Sequence, residues 1–183
     1  MRRWKTSVSI VLAVLLGALT GAAPASAVYE YAGAWGEAGA AEGQFADPAG
    51  IAIDQLGNVY VADSGNHRVQ KFNLAGGFIG AWGTPGSGDG EFAVPGDVAA
   101  DALGNVYVAD TFSHRIQVFD PNGNFITQWQ TGADPNPAAS YPTDVAVSAE
   151  GDVYVVDGSL ARVAKFSADG TYLAFGPTKN LAR

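Results

Sequence analysis

Three aspartates stand at the same point of a repeated segment, and their type and spacing could support chemistry. They lie 47 residues apart, each at the end of a copy of Gly-Asn/Asp-Val-Tyr-Val-Ala/Val-Asp: Asp63, Asp110 and Asp157. An arginine follows five residues after each: Arg68, Arg115 and Arg162. Carboxylates gathered in one loop region could form a metal-binding rim, whereas a buried carboxylate paired with a cation would be structural. A catalytic group is needed once per site but this pair recurs in every copy, so we interpret the six residues as structural pairs.

The two histidines of the chain, His67 and His114, also occupy equivalent positions in two copies. Histidine is a frequent zinc ligand and proton carrier. Two histidines cannot supply a three-histidine zinc site within one chain, and their recurrence favours a structural role.

Asp97 and Asp144 are acidic positions at which the copies differ, because the first copy has Gly50 there. Two carboxylates on neighbouring units could bind a hard cation such as Ca²⁺, and a cap at the start of a strand is the structural alternative. We predict binding residues and candidate calcium ligands at Asp97 and Asp144. We predict no catalytic residue, because the sequence contains neither G-x-S-x-G nor H-E-x-x-H.

Short β-strands must position these side chains. The 47-residue register is unbroken, and apolar residues within each copy alternate with a period of two. The middle copy predicts four strands, at about 97–101, 105–109, 114–119 and 124–129, with turn residues between them. Four antiparallel strands in such a repeat are typical of one β-propeller blade, so we predict an all-β fold with no helix outside the N-terminal segment. Four aromatic residues are interpreted as blade packing rather than a ligand platform: Trp82, Trp129, Tyr141 and Tyr154.

Residues 95–129, PGDVAADALGNVYVADTFSHRIQVFDPNGNFITQW, resemble the NHL repeat. The pattern is Pro-x-Asp/Gly-Val-Ala, then Gly-Asn-Val-Tyr-Val-Ala-Asp, then Asn-His-Arg-Ile/Val-Gln, and the third copy lacks the Asn-His. The resemblance covers roughly residues 31–176. It implies propeller blades, which in this family commonly number six in a ring.

The resulting organisation is three NHL-type blades per chain, either an incomplete ring or half of a six-bladed ring. The predicted segments are a signal peptide at 1–27, an N-terminal strand and linker at 28–44, blades at 45–83, 92–130 and 139–176, and a tail at 177–183. A strand at about 29–35 matches the fourth strand of a missing blade. Propellers close with about four to eight blades. A homodimer closing a six-bladed ring and a fragment of a longer propeller both remain open.

The N-terminal segment has the pattern of a secretory signal peptide. Arg2, Arg3 and Lys5 precede an apolar run at 8–19, and Ala25-Ser26-Ala27 forms a cleavage site. We predict cleavage near Ala27 and an extracellular or periplasmic protein, with an uncleaved anchor as the alternative. No stable membrane span is predicted, because the apolar run is short.

The net charge of the chain limits the classes of molecule that it could bind. The net charge is −8, and residues 1–27 hold three of the ten basic residues and none of the 18 acidic ones, so cleavage would leave −11. Nucleic acids and anionic membranes both require a cationic face, so we exclude them as partners. The chain has no cysteine and therefore no disulfide.

Residues 142–158, PTDVAVSAEGDVYVVDG, are similar to blade sequences of peptidylglycine amidating lyase, an NHL-type propeller with a catalytic zinc. In that family zinc-binding histidines follow the proline that opens a blade, but here those positions hold Ala49, Gly96 and Thr143. A structural calcium carboxylate at the next position corresponds to Asp97 and Asp144. The resemblance therefore implies the fold and calcium, without the zinc chemistry.

From these features we predict a secreted, non-catalytic module that binds a protein or a small molecule. Recognition is expected at the loop face that carries four aspartates: Asp63, Asp97, Asp110 and Asp144. The alternative is a metal-dependent lyase or hydrolase whose site forms only in an assembled ring.

Overall fold

Three four-stranded antiparallel sheets make up most of the structure, a computed structural model that describes residues 32–132 and 140–173. The first sheet contains β3 (Pro48–Ile53), β4 (Val59–Asp63), β5 (Arg68–Phe72) and β6 (Phe78–Trp82). The second contains β7 (Pro95–Ala100), β8 (Val106–Asp110), β9 (Arg115–Phe119) and β10 (Phe125–Gln130). The third contains β11 (Pro142–Val147), β12 (Val153–Asp157), β13 (Arg162–Phe166) and β14 (Tyr172–Leu173). Before them, β1 (Glu37–Ala38) and β2 (Gln44–Phe45) form a short parallel pair.

Each sheet is one propeller blade, with its strands hydrogen-bonded in chain order. The predicted all-β propeller fold is therefore confirmed, with three full blades and a partial one before them. The second strands, β4 and β8, are buried along their whole length because a blade in the stack has a neighbour on both faces. This explains why they are almost continuously apolar.

The core lies in layers between the blades. One layer joins the first and second blades and includes Tyr60, Val69, Phe92, Val98 and Phe119. The next joins the second and third blades and includes Tyr107, Ile116, Val145, Val155 and Phe166. A third layer, on the outer side of the first blade, contains Phe45, Val59, Val61 and Phe72.

A tryptophan closes the outer end of each layer. The Trp82 ring lies 5.7 Å from the Phe119 ring, and the Trp129 ring lies 5.9 Å from the Phe166 ring, measured between centroids. Both tryptophans are packing residues, as predicted. Trp35 makes the corresponding contact with Phe72, at 6.3 Å, although residues 32–36 lie outside any strand. The predicted strand at 29–35 is therefore not found over residues 32–35, and its first residues lie outside the described part, as do the predicted signal peptide and tail.

Two short 3-10 helices, Ser64–Asn66 and Thr111–Ser113, follow the second strands of the first two blades. The prediction of no helix beyond the N-terminal segment was wrong at these points, since a three-residue turn has no periodicity to detect. Each ends at a histidine in the left-handed conformation, His67 with φ 54° and His114 with φ 59°. No helix among the described residues is long and apolar enough to cross a membrane.

Candidate functional site

First strands begin and second strands end at one end of every blade, which we call the loop face. In the second and third blades it comprises residues 94–97, 110–114, 141–144 and 157–161. Antiparallel pairing brings these segments together, because Pro95 lies opposite Asp110 and Pro142 opposite Asp157.

The aspartates that end the second strands are enclosed at the joints of the structure. Asp63 Oδ2 accepts a hydrogen bond from Arg68 Nε at 2.7 Å, and Asp63 Oδ1 accepts one from the Ala46 N–H at 2.8 Å. Asp110 is held in the same way by Arg115 Nε at 3.0 Å. The Asp63 and Asp110 side chains have no exposed surface, so they offer no atom to a ligand. The prediction that Asp63 and Asp110 contribute to ligand recognition at the loop face was therefore wrong.

Arg115 also fastens the glycine-rich linker that precedes its blade. Its guanidinium donates hydrogen bonds to the carbonyl oxygens of Ser87, Gly88 and Glu91 at 2.9, 3.0 and 2.7 Å. These carbonyls would otherwise be poorly satisfied in a linker whose regular structure is one isolated bridge between Pro85 and Phe92. In the third blade the Arg162 Nε atom lies 3.5 Å from Asp157 Oδ2, so this pair is looser.

The histidines connect neighbouring blades. His67 donates from Nδ1 to the Ala93 carbonyl at 2.7 Å, and His114 donates to the Ser140 carbonyl at 2.5 Å. Hydroxyl groups form a second set of bridges, from Ser64 to the Pro95 carbonyl and from Thr111 to the Pro142 carbonyl. At the equivalent positions of the third blade stand residues without a polar side chain: Gly158 and Ala161.

Asp97 also serves a joint between blades. Its Oδ2 atom accepts the backbone N–H of Val145 at 2.9 Å, and its Oδ1 side packs directly against Gly50. Burial raises the pKa of the Asp97 carboxyl above its ordinary value, the N–H groups of Val145 and Val98 oppose the rise, and the charge of Asp144 adds to it. Asp144 is exposed at the equivalent position of the third blade.

The two carboxylates do not by themselves form a calcium site. Calcium takes about six to eight oxygen ligands, and no cluster of three or more His, Asp or Glu side chains suited to a metal occurs among residues 32–132 and 140–173. One oxygen of Asp97 is already engaged by Val145. Calcium at Asp97 and Asp144 stays a prediction.

An aromatic cluster lies on the loop face where the second and third blades meet. The Phe112 and Tyr141 rings stand edge to face with centroids 5.9 Å apart, and the His114 ring packs against Tyr141 at 4.8 Å. Phe112 is 60% exposed and Tyr141 is 37% exposed. Tyr141 therefore packs at the joint between the second and third blades and also leaves part of its ring exposed.

Phe112 was not among the predicted site residues. A signal was present, because the equivalent positions of the other copies hold Gly65 and Ser159. The repeat pattern does not account for a large exposed aromatic residue at this position of one copy.

Comparison with known families places two segments, residues 45–72 and 92–119, in the NHL repeat. Two curated proteins are similar over 44 residues: the B-box type zinc finger protein ncl-1 of Caenorhabditis elegans, 48% identical, and the protein brain tumor of Drosophila melanogaster, 46% identical. These matches cover 24% of this chain and 5% and 4% of the two relatives.

Among solved structures, a streptogramin B lyase resembles the chain with a TM-score of 0.56 and 19% identity, over 69% of this chain and 39% of the lyase. A likeness at this identity concerns the fold alone. The two matched repeats and the three four-stranded blades identify the chain as an NHL-repeat β-propeller protein.

Proposed function

We propose that this chain is a secreted, non-catalytic binding module that recognises a protein or small-molecule ligand at its loop face. The observation that carries the proposal is the exposed pair Phe112 and Tyr141 beside the acidic start of the third blade. Secretion is supported by the pattern of residues 1–27.

The cluster favours a ligand that is both apolar and positively charged. Aromatic faces attract ammonium and guanidinium groups and also provide apolar contact area. The exposed carboxylate of Asp144 and the net charge of −8 add attraction for a cation. A basic peptide segment, or a small amine with an apolar body, meets this description.

The burial of the repeated side chains also supports a ligand site at this aromatic cluster. The Asp63–Arg68 and Asp110–Arg115 pairs are enclosed, and the bridging histidine nitrogens are used between blades. The side chains that remain accessible at this joint are those at which the copies differ, as expected if the shared residues build the scaffold and the variable ones bind.

The proposal can be tested by calorimetric titration with a short arginine–leucine peptide and with a glutamate–leucine peptide of equal length. We expect the basic peptide alone to bind, and Phe112→Ala or Asp144→Asn to weaken binding roughly tenfold. Leu103→Ala is the matched control, because Leu103 is an exposed apolar residue in the turn at the opposite end of the blade. Equal binding of both peptides, or equal loss in the control, would contradict the proposal.

The alternative enzymatic function makes a different prediction. A metal-dependent lyase or hydrolase should contain stoichiometric zinc or calcium after purification. Its turnover should be lost in Asp97→Ala and Asp144→Ala while the fold remains. That result would remove the non-catalytic part of the proposal.

A further inference from the structure

The third blade exposes an apolar row on the side that would face a following blade, which we call its back face. Asp144 lies opposite Val156, and Val156 lies opposite Val163, so the three residues form one line across β11, β12 and β13. Val156 is 40% exposed and Val163 is 48% exposed. Exposed β-branched residues in adjacent strands are suited to packing against another sheet.

The second blade buries the equivalent row. Asp97, Ala109 and Ile116 have the same register, and Ala109 and Ile116 have no exposed surface. They pack against the third blade, and Asp97 accepts the backbone N–H of Val145 there. The back face of the third blade thus continues a type of interface that the molecule already uses.

The first blade carries the matching half of such a joint, which we call its front face. The chain itself already covers part of this face, because Val59 and Val61 are buried in the layer that contains Phe45. Ile51 is equivalent to Val98 and Val145, which are 3% and 6% exposed against the preceding blade, whereas Ile51 is 40% exposed. Ile53, two residues further along β3, is also exposed. In the 47-residue register Ile51 is equivalent to Val145, and Asp144 is equivalent to Asp97.

We propose that the back face of the third blade binds the front face of the first blade of a second copy of this chain, with Asp144 accepting the backbone N–H of Ile51. A twofold axis makes the same joint twice and closes a ring of six blades. Six lies within the range of about four to eight blades in known propellers, and closure covers the exposed apolar residues of both faces. The inference rests on the fold rather than on the proposed ligand site, with which it shares Asp144 alone.

This joint differs from the two within the chain in one respect. Gly158 and Ala161 replace the serine or threonine and the histidine that bridge the other joints. Two copies of an acidic chain also repel each other, and salt screens this repulsion. The dimer is therefore reversible, dependent on protein concentration and favoured by moderate salt.

Sedimentation velocity of the purified chain over a range of concentrations tests the proposal, with a dimer as the expected species. Val163→Lys should leave the chain folded, because Val163 is exposed, and should prevent dimerisation. Ile126→Lys is the matched control, since Ile126 is equally exposed on the outer strand β10 and lies outside the joint. A monomer at every concentration, growing open chains, or equal loss of the dimer in both variants would overturn the proposal.

A complementation experiment with two interface variants distinguishes this joint from other modes of dimerisation. Val163→Lys and Ile51→Lys should each be monomeric alone, because each damages both joints of a homodimer. Their mixture retains one undamaged joint and should dimerise. Ala161→His should tighten the wild-type dimer by supplying the missing bridge, without changing the melting temperature of dilute monomer. Failure of the mixture to associate would overturn the proposed pairing of faces.

Discussion

The Asp110 carboxylate and the Arg115 guanidinium form an enclosed pair at the joint between the first and second blades. Asp110 Oδ2 and Arg115 Nε are 3.0 Å apart, and the two side chains are 0% and 4% exposed. The same arginine holds three carbonyl oxygens of the preceding linker. One ion pair thus ties together a strand end, a loop and the linker between blades.

Arg115→Ala should lower the free energy of unfolding by roughly 1–3 kcal/mol, because it leaves a buried carboxylate and several carbonyls without donors. Arg162→Ala should cost less, since this pair is 3.5 Å apart and the arginine is 27% exposed. Urea unfolding of both variants measures the difference. Equal losses would show that enclosure does not govern the contribution of these pairs.

Gly50→Ala should strongly destabilise the joint between the first and second blades. A Cβ at Gly50 would lie 2.1 Å from Asp97 Oδ1 and 2.5 Å from the Asp97 Cα atom, and the backbone atom cannot move aside cheaply. Gly80→Ala is the matched control, because Gly80 also lies in a strand of this blade but has no neighbour within 4 Å of its Cβ position. Thermal melts of the two variants should differ clearly, and similar melts would contradict the close approach.

Asp97→Asn should raise the melting temperature near neutral pH. The folded protein has a raised Asp97 pKa, caused mainly by burial, so the stability from this group is present below about pH 4 and is lost as pH rises through the folded pKa. Asparagine keeps an oxygen for the Val145 N–H and carries no charge. The stabilisation should disappear in melts below about pH 4.

Asp89→Asn, at an exposed carboxylate of the linker, serves as the control for this experiment. It should change the melting temperature little, because the side chain is exposed. Lower stability of Asp97→Asn near neutral pH would mean that the ionised carboxylate is favoured in the folded state.

His114→Ala should lower stability by about 1 kcal/mol, because it removes the hydrogen bond to the Ser140 carbonyl. Denaturant unfolding measures this effect, and metal analysis of the same samples separates the two roles considered for this residue. Unchanged stability together with loss of a bound metal would favour the ligand role over the structural one.

The repeat made most of the blade structure predictable. A 47-residue period with alternating apolar residues specifies short strands, and turn residues such as Asp101, Gly104, Pro121 and Gly123 place their ends. The 3-10 helices were missed because three residues carry no periodic signal. A strand at about 29–35 was predicted from its match to the fourth strand of a blade, but no strand forms over residues 32–36.

The candidate site was less predictable. Asp97 and Asp144 occupy the same position of the repeat, yet one is bound by the following blade and the other is exposed. Exposure depends on whether another blade covers the position, which no local pattern records. The same reason explains why the exposure of Phe112 was not predicted.

By itself, the sequence determined the blade, since strand alternation, turn residues and the Asp–Arg spacing are all local and recur in every copy. Only the tertiary structure decided which of the equivalent side chains are enclosed. Burial in a stack of blades is a property of neighbours, so identical positions such as Ile116 and Val163 become core in one blade and surface in the next.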